Sequence, residues 1–211
     1  MKINSYAPYH IGIKLNPSIP IRELRQIILK NVGTFNMEQI AGEIFPLNVS
    51  SEILVKDADV RIEMNFVALA LNTVGENPKK VTDIFEKVVK LLSENNYDLK
   101  SLAIFYELVI SAHIDHGGDS FKILNKAVKC NITSVKDLVS DMSVEGIKFN
   151  IGLEDKDQDA LGLIVNISPI NPSKFLLIKI SYQTRNFEKI SGLKNTIEEK
   201  LLTIAKSLGE D

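Results

Sequence analysis

Apolar and polar positions alternate early in the chain: Ile11, Ile13 and Leu15 are separated by Gly12 and Lys14. A period of two predicts a half-buried strand over Tyr9 to Leu15. Asn16-Pro17-Ser18 breaks it. Ile21, Leu24, Ile27 and Ile28 then share one helical face, with Pro20 in the first turn and Gly33 as a stop. Alternation returns in a hairpin. Leu47, Val49, Ile53 and Val55 lead into the turn Lys56-Asp57-Ala58-Asp59, and Val60, Ile62, Met64 and Phe66 lead out. Asn77-Pro78 is a helix entry, an Asn cap followed by proline at the first helical position. Val81, Ile84, Phe85, Val88, Leu91 and Leu92 continue that helix to Asn95-Asn96, with Glu86 and Lys90 spaced to pair outside.

The remainder repeats the outline. Leu102 to Ile114 is nearly continuous in apolar character, which predicts a central strand. His116-Gly117-Gly118-Asp119 makes a turn, and Asp119 or Ser120 caps a short helix through Ala127. Residues 129–144 carry little pattern. Strands follow at Ile147–Leu153, Leu161–Ile167 and Leu176–Tyr182, and a last helix at Phe187–Leu208. Each half reads strand, helix, hairpin, helix, the second with an added strand. The expected class is α+β, a mainly antiparallel sheet with helices on one face and two similar β-α-β-β-α halves. The division falls at residues 1–100 and 101–211. Duplicated ferredoxin-like units and one continuous sheet of about seven strands, a single fused domain, both satisfy the pattern.

Charge narrows the partners. Residues 1–100 hold 12 basic and 12 acidic side chains and the remainder 13 and 15, so neither half is a basic module. Strong nonspecific attraction to nucleic acid is not expected. The outward positions of the clear hairpins, among them Arg61, Glu63, Asn65, Lys148, Asn150, Lys179, Ser181 and Gln183, offer no aromatic pair on which bases would stack. A single cysteine, Cys130, rules out an intramolecular disulfide. The first residues lack a signal-peptide core, and the longest apolar stretch falls short of the ~20 residues a membrane span needs. The expectation is a cytoplasmic protein with no membrane contact.

Candidate chemistry concentrates in His113-Ile114-Asp115-His116-Gly117-Gly118-Asp119. His113 and Asp115 lie two apart on a strand and share a face. A carboxylate beside an imidazole can orient it as a general base, and two histidines with a carboxylate can bind zinc or iron. His113, Asp115 and His116 are thus the candidates for catalysis or a metal, although their spacing matches no metal motif and a strand end with a glycine turn accounts for the same residues. Gly117-Gly118 lacks the rest of any phosphate-loop sequence. Asp155-Lys156-Asp157-Gln158-Asp159 starts like a calcium loop and then fails, with Ala160 where glycine is needed and Asn166 where glutamate is needed. Lys79-Lys80 at a helix start opposes the helix dipole and reads as a solvated end.

A complete core pattern without a convincing catalytic constellation points to a noncatalytic binding or assembly module, a homo-oligomer (dimer), with no cofactor. The alternatives are an enzyme or metal-binding protein centred on His113, Asp115 and His116, and nucleic-acid binding through a local basic patch.

Overall fold

The computed structural model describes residues 2–18, 20–31, 37–41, 50–120, 123–124, 147–151, 159–170 and 175–208. Gly33, Cys130, the stretch 129–144, most of the short helix expected to end at Ala127, and Asp155 to Gln158 lie outside the described residues. The strands are β1 (Lys2–Leu15), β2 (Met37–Ala41), β3 (Ser50–Val55), β4 (Val60–Asn65), β5 (Ala70–Gly75), β6 (Ala103–Asp115), β7 (Ile147–Ile151), β8 (Ala160–Ile170) and β9 (Phe175–Thr184). The helices are α1 (Ile21–Lys30), α2 (Pro78–Glu94), α3 (Leu99–Leu102), α4 (Phe187–Ser191) and α5 (Ile197–Ser207), with a 3₁₀ turn at Gly192–Asn195 between the last two.

The nine strands among the described residues form one sheet in the order β2-β3-β4-β5-β1-β6-β9-β8-β7. Every neighbouring pair is antiparallel. The α+β class with a mainly antiparallel sheet is therefore as expected, and of the two arrangements the molecule adopts the continuous sheet. The order has an internal symmetry: β6-β9-β8-β7 repeats β1-β5-β4-β3 outward from the middle. Among the described residues the added strand falls in the first half rather than in the second. Among the described residues the first half contributes β1 to β5 and the second β6 to β9. The pattern missed β2 and β5. Asn72 and Thr73 interrupt the apolar run of β5, and strand pairing overrides that weak local preference.

Alternation decides which face is which. On β1, Tyr9, Ile11, Ile13 and Leu15 are buried under the helices; on β6, Tyr106, Leu108, Ile110, Ala112 and Ile114 are. β6 lies at the centre against β1, as its near-continuous apolar character predicts. Helix α2 starts as the sequence proposes: the Asn77 side chain accepts a hydrogen bond from the Lys80 amide at 3.1 Å, and Pro78 takes the first turn. Its buried stripe of Val81, Ile84, Phe85, Val88, Leu91 and Leu92 packs on the sheet. The outer face of α2 departs from expectation. Lys90 pairs with Glu94 at 3.8 Å rather than with Glu86. Glu86 instead binds Lys194 at 3.0 Å and Ser191 from the C-terminal helices, and Asp83 joins Lys194 at 3.1 Å. The Phe187 ring completes the junction, 5.3 Å from Phe85 and 5.4 Å from Tyr106 between centroids. The helix expected over Phe187–Leu208 is broken here, as α4 ends and the 3₁₀ turn re-aims the chain into α5.

Candidate functional site

With the helices gathered on one side, the other face of the sheet is uncovered by any described element. Its positions are the alternates of the buried ones: His10, Gly12 and Lys14 on β1; Glu107, Val109, Ser111 and His113 on β6. The register lines up cross-strand rows. One row runs Glu63, Asn72, Gly12, Glu107 and Gln183. The next runs Arg61, Val74, His10, Val109 and Ser181.

The middle of this face is organised around a glycine. A side-chain carbon on Gly12 would sit 2.2 Å from Asn72 Oδ1 and 2.8 Å from His10 Nε2. The absent side chain lets the His10 ring and the Asn72 amide fold over the strand and bury the glycine between them. His10 Nε2 is buried beside the Asn72 side chain. Burial holds the His10 imidazole below its usual pKa and Lys179 pushes the same way, while Glu107 and the adjacent Asn72 oppose. Beside it the Glu107 carboxylate is fixed across the strand: Gln183 Nε2 donates to Oε1 at 2.9 Å and Ser181 Oγ at 3.4 Å. Val74, between Arg61 and His10 in the same row, is only 8% exposed.

Charge on the face is divided. The first-half wing holds Glu52, Arg61 and Glu63, with Arg61 4.0 Å from Glu52 and 3.9 Å from Glu63. Burial raises the Glu63 pKa and Glu52 adds to it, against the Arg61 guanidinium. The second-half wing presents Lys179 in a row with Ser111 and Asn166, and the register carries that row on to position 148. Among these described side chains one wing carries two acids and one base and the other a single base, Lys179.

The residues singled out from sequence sit at the end of β6. His113 and Asp115 are on the open face, paired in register with Ser5 and Lys2 of β1. His113 Nδ1 is hydrogen-bonded to Ser5 Oγ at 2.9 Å. Asp115 accepts from the Gly117 amide at 3.0 Å, and His116 Nδ1 accepts from the Gly118 amide at 3.1 Å. Gly117 has φ 77°, the left-handed conformation that glycine takes without strain. The three side chains are thus each engaged locally. His116 is the partial exception, since its Nε2 is buried without a partner and burial lowers its pKa. Glu107 lies on the same strand and face as His113, but at the far end of the run, bound to Gln183 and Ser181. Among the described residues no group of three or more His, Cys, Asp or Glu is placed to hold a metal ion. No helix among them is long and apolar enough to cross a membrane.

Sequence reasoning passed over His10, Asn72 and Gly12. The signal available was a glycine inside a strand pattern, which marks a close approach of other groups. Asn72 could not be found the same way, because β5 itself was not legible.

No protein-family model matches the chain, and no characterised protein matches it in sequence. Among solved structures it is similar to Methanococcus jannaschii TBP at 17% identity over 100% of both chains, with a TM-score of 0.39.

Proposed function

We propose that this protein is a noncatalytic binding and assembly module that pairs with a second copy of itself through the helix-free face of its sheet. The observation behind this reading is the division of charge on that uncovered face. Glu52 and Glu63 outweigh Arg61 on the β3–β4 wing, and Lys179 lies on the β9 wing. A two-fold axis running along β1 and β6 would lay each wing over the opposite wing of the partner, so one surface would be complementary to itself. Interleaved carboxylates, Glu107 at the centre among them, disfavour a polyanion there. The halves 1–100 and 101–211 would act as one body in this role, each supplying one wing.

Size-exclusion chromatography with light scattering tests the reading. A dimer is expected, and Val109→Arg, which puts a long cationic side chain in the middle of the face, is expected to yield monomer with an unchanged circular dichroism spectrum. A wild-type monomer at every concentration, or a dimer indifferent to Val109→Arg, overturns the reading. Salt-sensitive retention on heparin, lost in Lys179→Glu, would move the assignment to nucleic acid.

A further inference from the structure

The centre of the open face holds a cluster built around Gly12. Asn72, Gly12 and Glu107 stand in one cross-strand row, on β5, β1 and β6 in turn. His10 belongs to the neighbouring row, yet its Nε2 lies 2.8 Å from the place a Gly12 side-chain carbon would take, close beside Asn72 Oδ1. The ring therefore reaches across the glycine, and the Asn72 side chain is its hydrogen-bond partner. The Asn72 atom turned to it is the acceptor Oδ1, so Nε2 carries the proton of the neutral ring and a second proton must enter at Nδ1. On the other side of Gly12, Gln183 and Ser181 both donate to Glu107 Oε1 and not to Oε2. The other charged groups facing the ring are Lys179 on β9 and, beyond Asn72 and Val74, Arg61 and Glu63 on β4. Lys14, on β1 itself, donates to the Ala68 carbonyl.

We propose that this cluster is a pH-sensitive latch: the neutral His10 ring stays over Gly12 against Asn72, and a proton taken up at Nδ1 turns it out of that cradle toward Glu107. The neutral ring loses little by leaving water, whereas the charged ring loses solvation in the cradle and finds a carboxylate one strand away. Burial and Lys179 hold the ring below the ordinary imidazole range and Glu107 opposes them, so the latch opens in mildly acid solution. His10 is paired in register with Val109. Where the face meets a second copy, a consequence that rests on the pairing proposed above, the released cation stands beside Val109 in the middle of the interface and acid loosens the dimer.

Nitrogen NMR of the imidazole rings of the full chain, followed through an acid titration, tests the latch, with His10→Gln identifying the His10 signals. The expected result is an Nε2–H tautomer at neutral pH, a midpoint below the ordinary value of about 6.5, and an Asn72 side-chain amide signal that moves with the same midpoint. Glu107→Gln removes the carboxylate that supports the charged ring and is expected to lower the midpoint further. Gly12→Ala displaces the ring into water and is expected to raise it toward the ordinary value. An ordinary midpoint, a midpoint indifferent to Glu107→Gln, or an Asn72 signal that ignores the titration overturns the latch. Glu107 is only partly buried, so its variant keeps the test intact even where Gly12→Ala does not fold. Analytical ultracentrifugation supplies the second arm. The wild-type dimer is expected to weaken about tenfold or more on acidification through that midpoint, and His10→Gln is expected to hold its affinity. A dimer equally tight on both sides of the midpoint, or one that His10→Gln leaves acid-sensitive, overturns the coupling. A monomer at every pH overturns the pairing, while the imidazole titration still decides the latch.

Discussion

His10 carries a pH dependence whose sign follows from its burial. Its folded pKa lies below the usual 6.5 because the charged ring would lose solvation. Protons therefore bind the unfolded chain more readily than the folded one. The stabilisation is fully present above about pH 6.5 and is lost as pH falls through the folded value. The urea midpoint is expected to drop on acidification below that point, and His10→Gln is expected to flatten the drop. His116 is shifted in the same direction and leaves a residual slope. A slope unchanged by His10→Gln would show that the His10 imidazole is not the group responsible. Gly12 belongs to the same cluster: with Asn72 Oδ1 2.2 Å from where a side-chain carbon would lie, any larger residue must displace Asn72, His10 or both.

Two kinds of contact join α2 to the C-terminal helices, and their magnitudes differ. Phe85 is fully buried and packs at a tilt against Phe187, so Phe85→Ala leaves a cavity and is expected to cost about 3–5 kcal/mol. Lys194 bridges Asp83 and Glu86, but those carboxylates are 44% and 34% exposed and solvent screens the pairs. Lys194→Ala is expected to cost less than about 1 kcal/mol. Chemical denaturation of the two variants compares them, and a larger loss from Lys194 than from Phe85 would mean that polar bridging, not ring packing, secures this junction. The sequence displayed the apolar stripe of α2 in full, because helical periodicity is local. It offered Lys90 as a partner for Glu86 by the same local rule, and the rule lost to Lys194, a residue over a hundred positions away in the chain.

At the scale of the molecule, the β1–β6 ladder fuses the two halves into one sheet, and Phe187 packs against both Phe85 and Tyr106. A single cooperative unfolding transition is expected, with far-ultraviolet circular dichroism and tyrosine fluorescence coinciding, and Phe85→Ala is expected to shift both together. Separate transitions would mean that residues 1–100 and 101–211 fold independently.

The sequence by itself determined the antiparallel α+β class, the central position of β6, the capped start of α2 and the inward stripes of β1, β4 and β9, while Leu161, expected to face inward, is exposed. These follow from periodicity and capping, which act over a few residues. Tertiary structure decided the rest. β5, with Asn72 and Thr73 in its run, is held as a strand by pairing with β1 and β4. His10, Gly12, Asn72 and Glu107 become neighbours because three strands distant in sequence are set in register. The His113–His116 segment, conspicuous in sequence, folds largely onto its own backbone and Ser5. Short-range hydrogen bonds absorb clustered polar residues, whereas the open polar face exists only once the sheet has closed the distance between its halves.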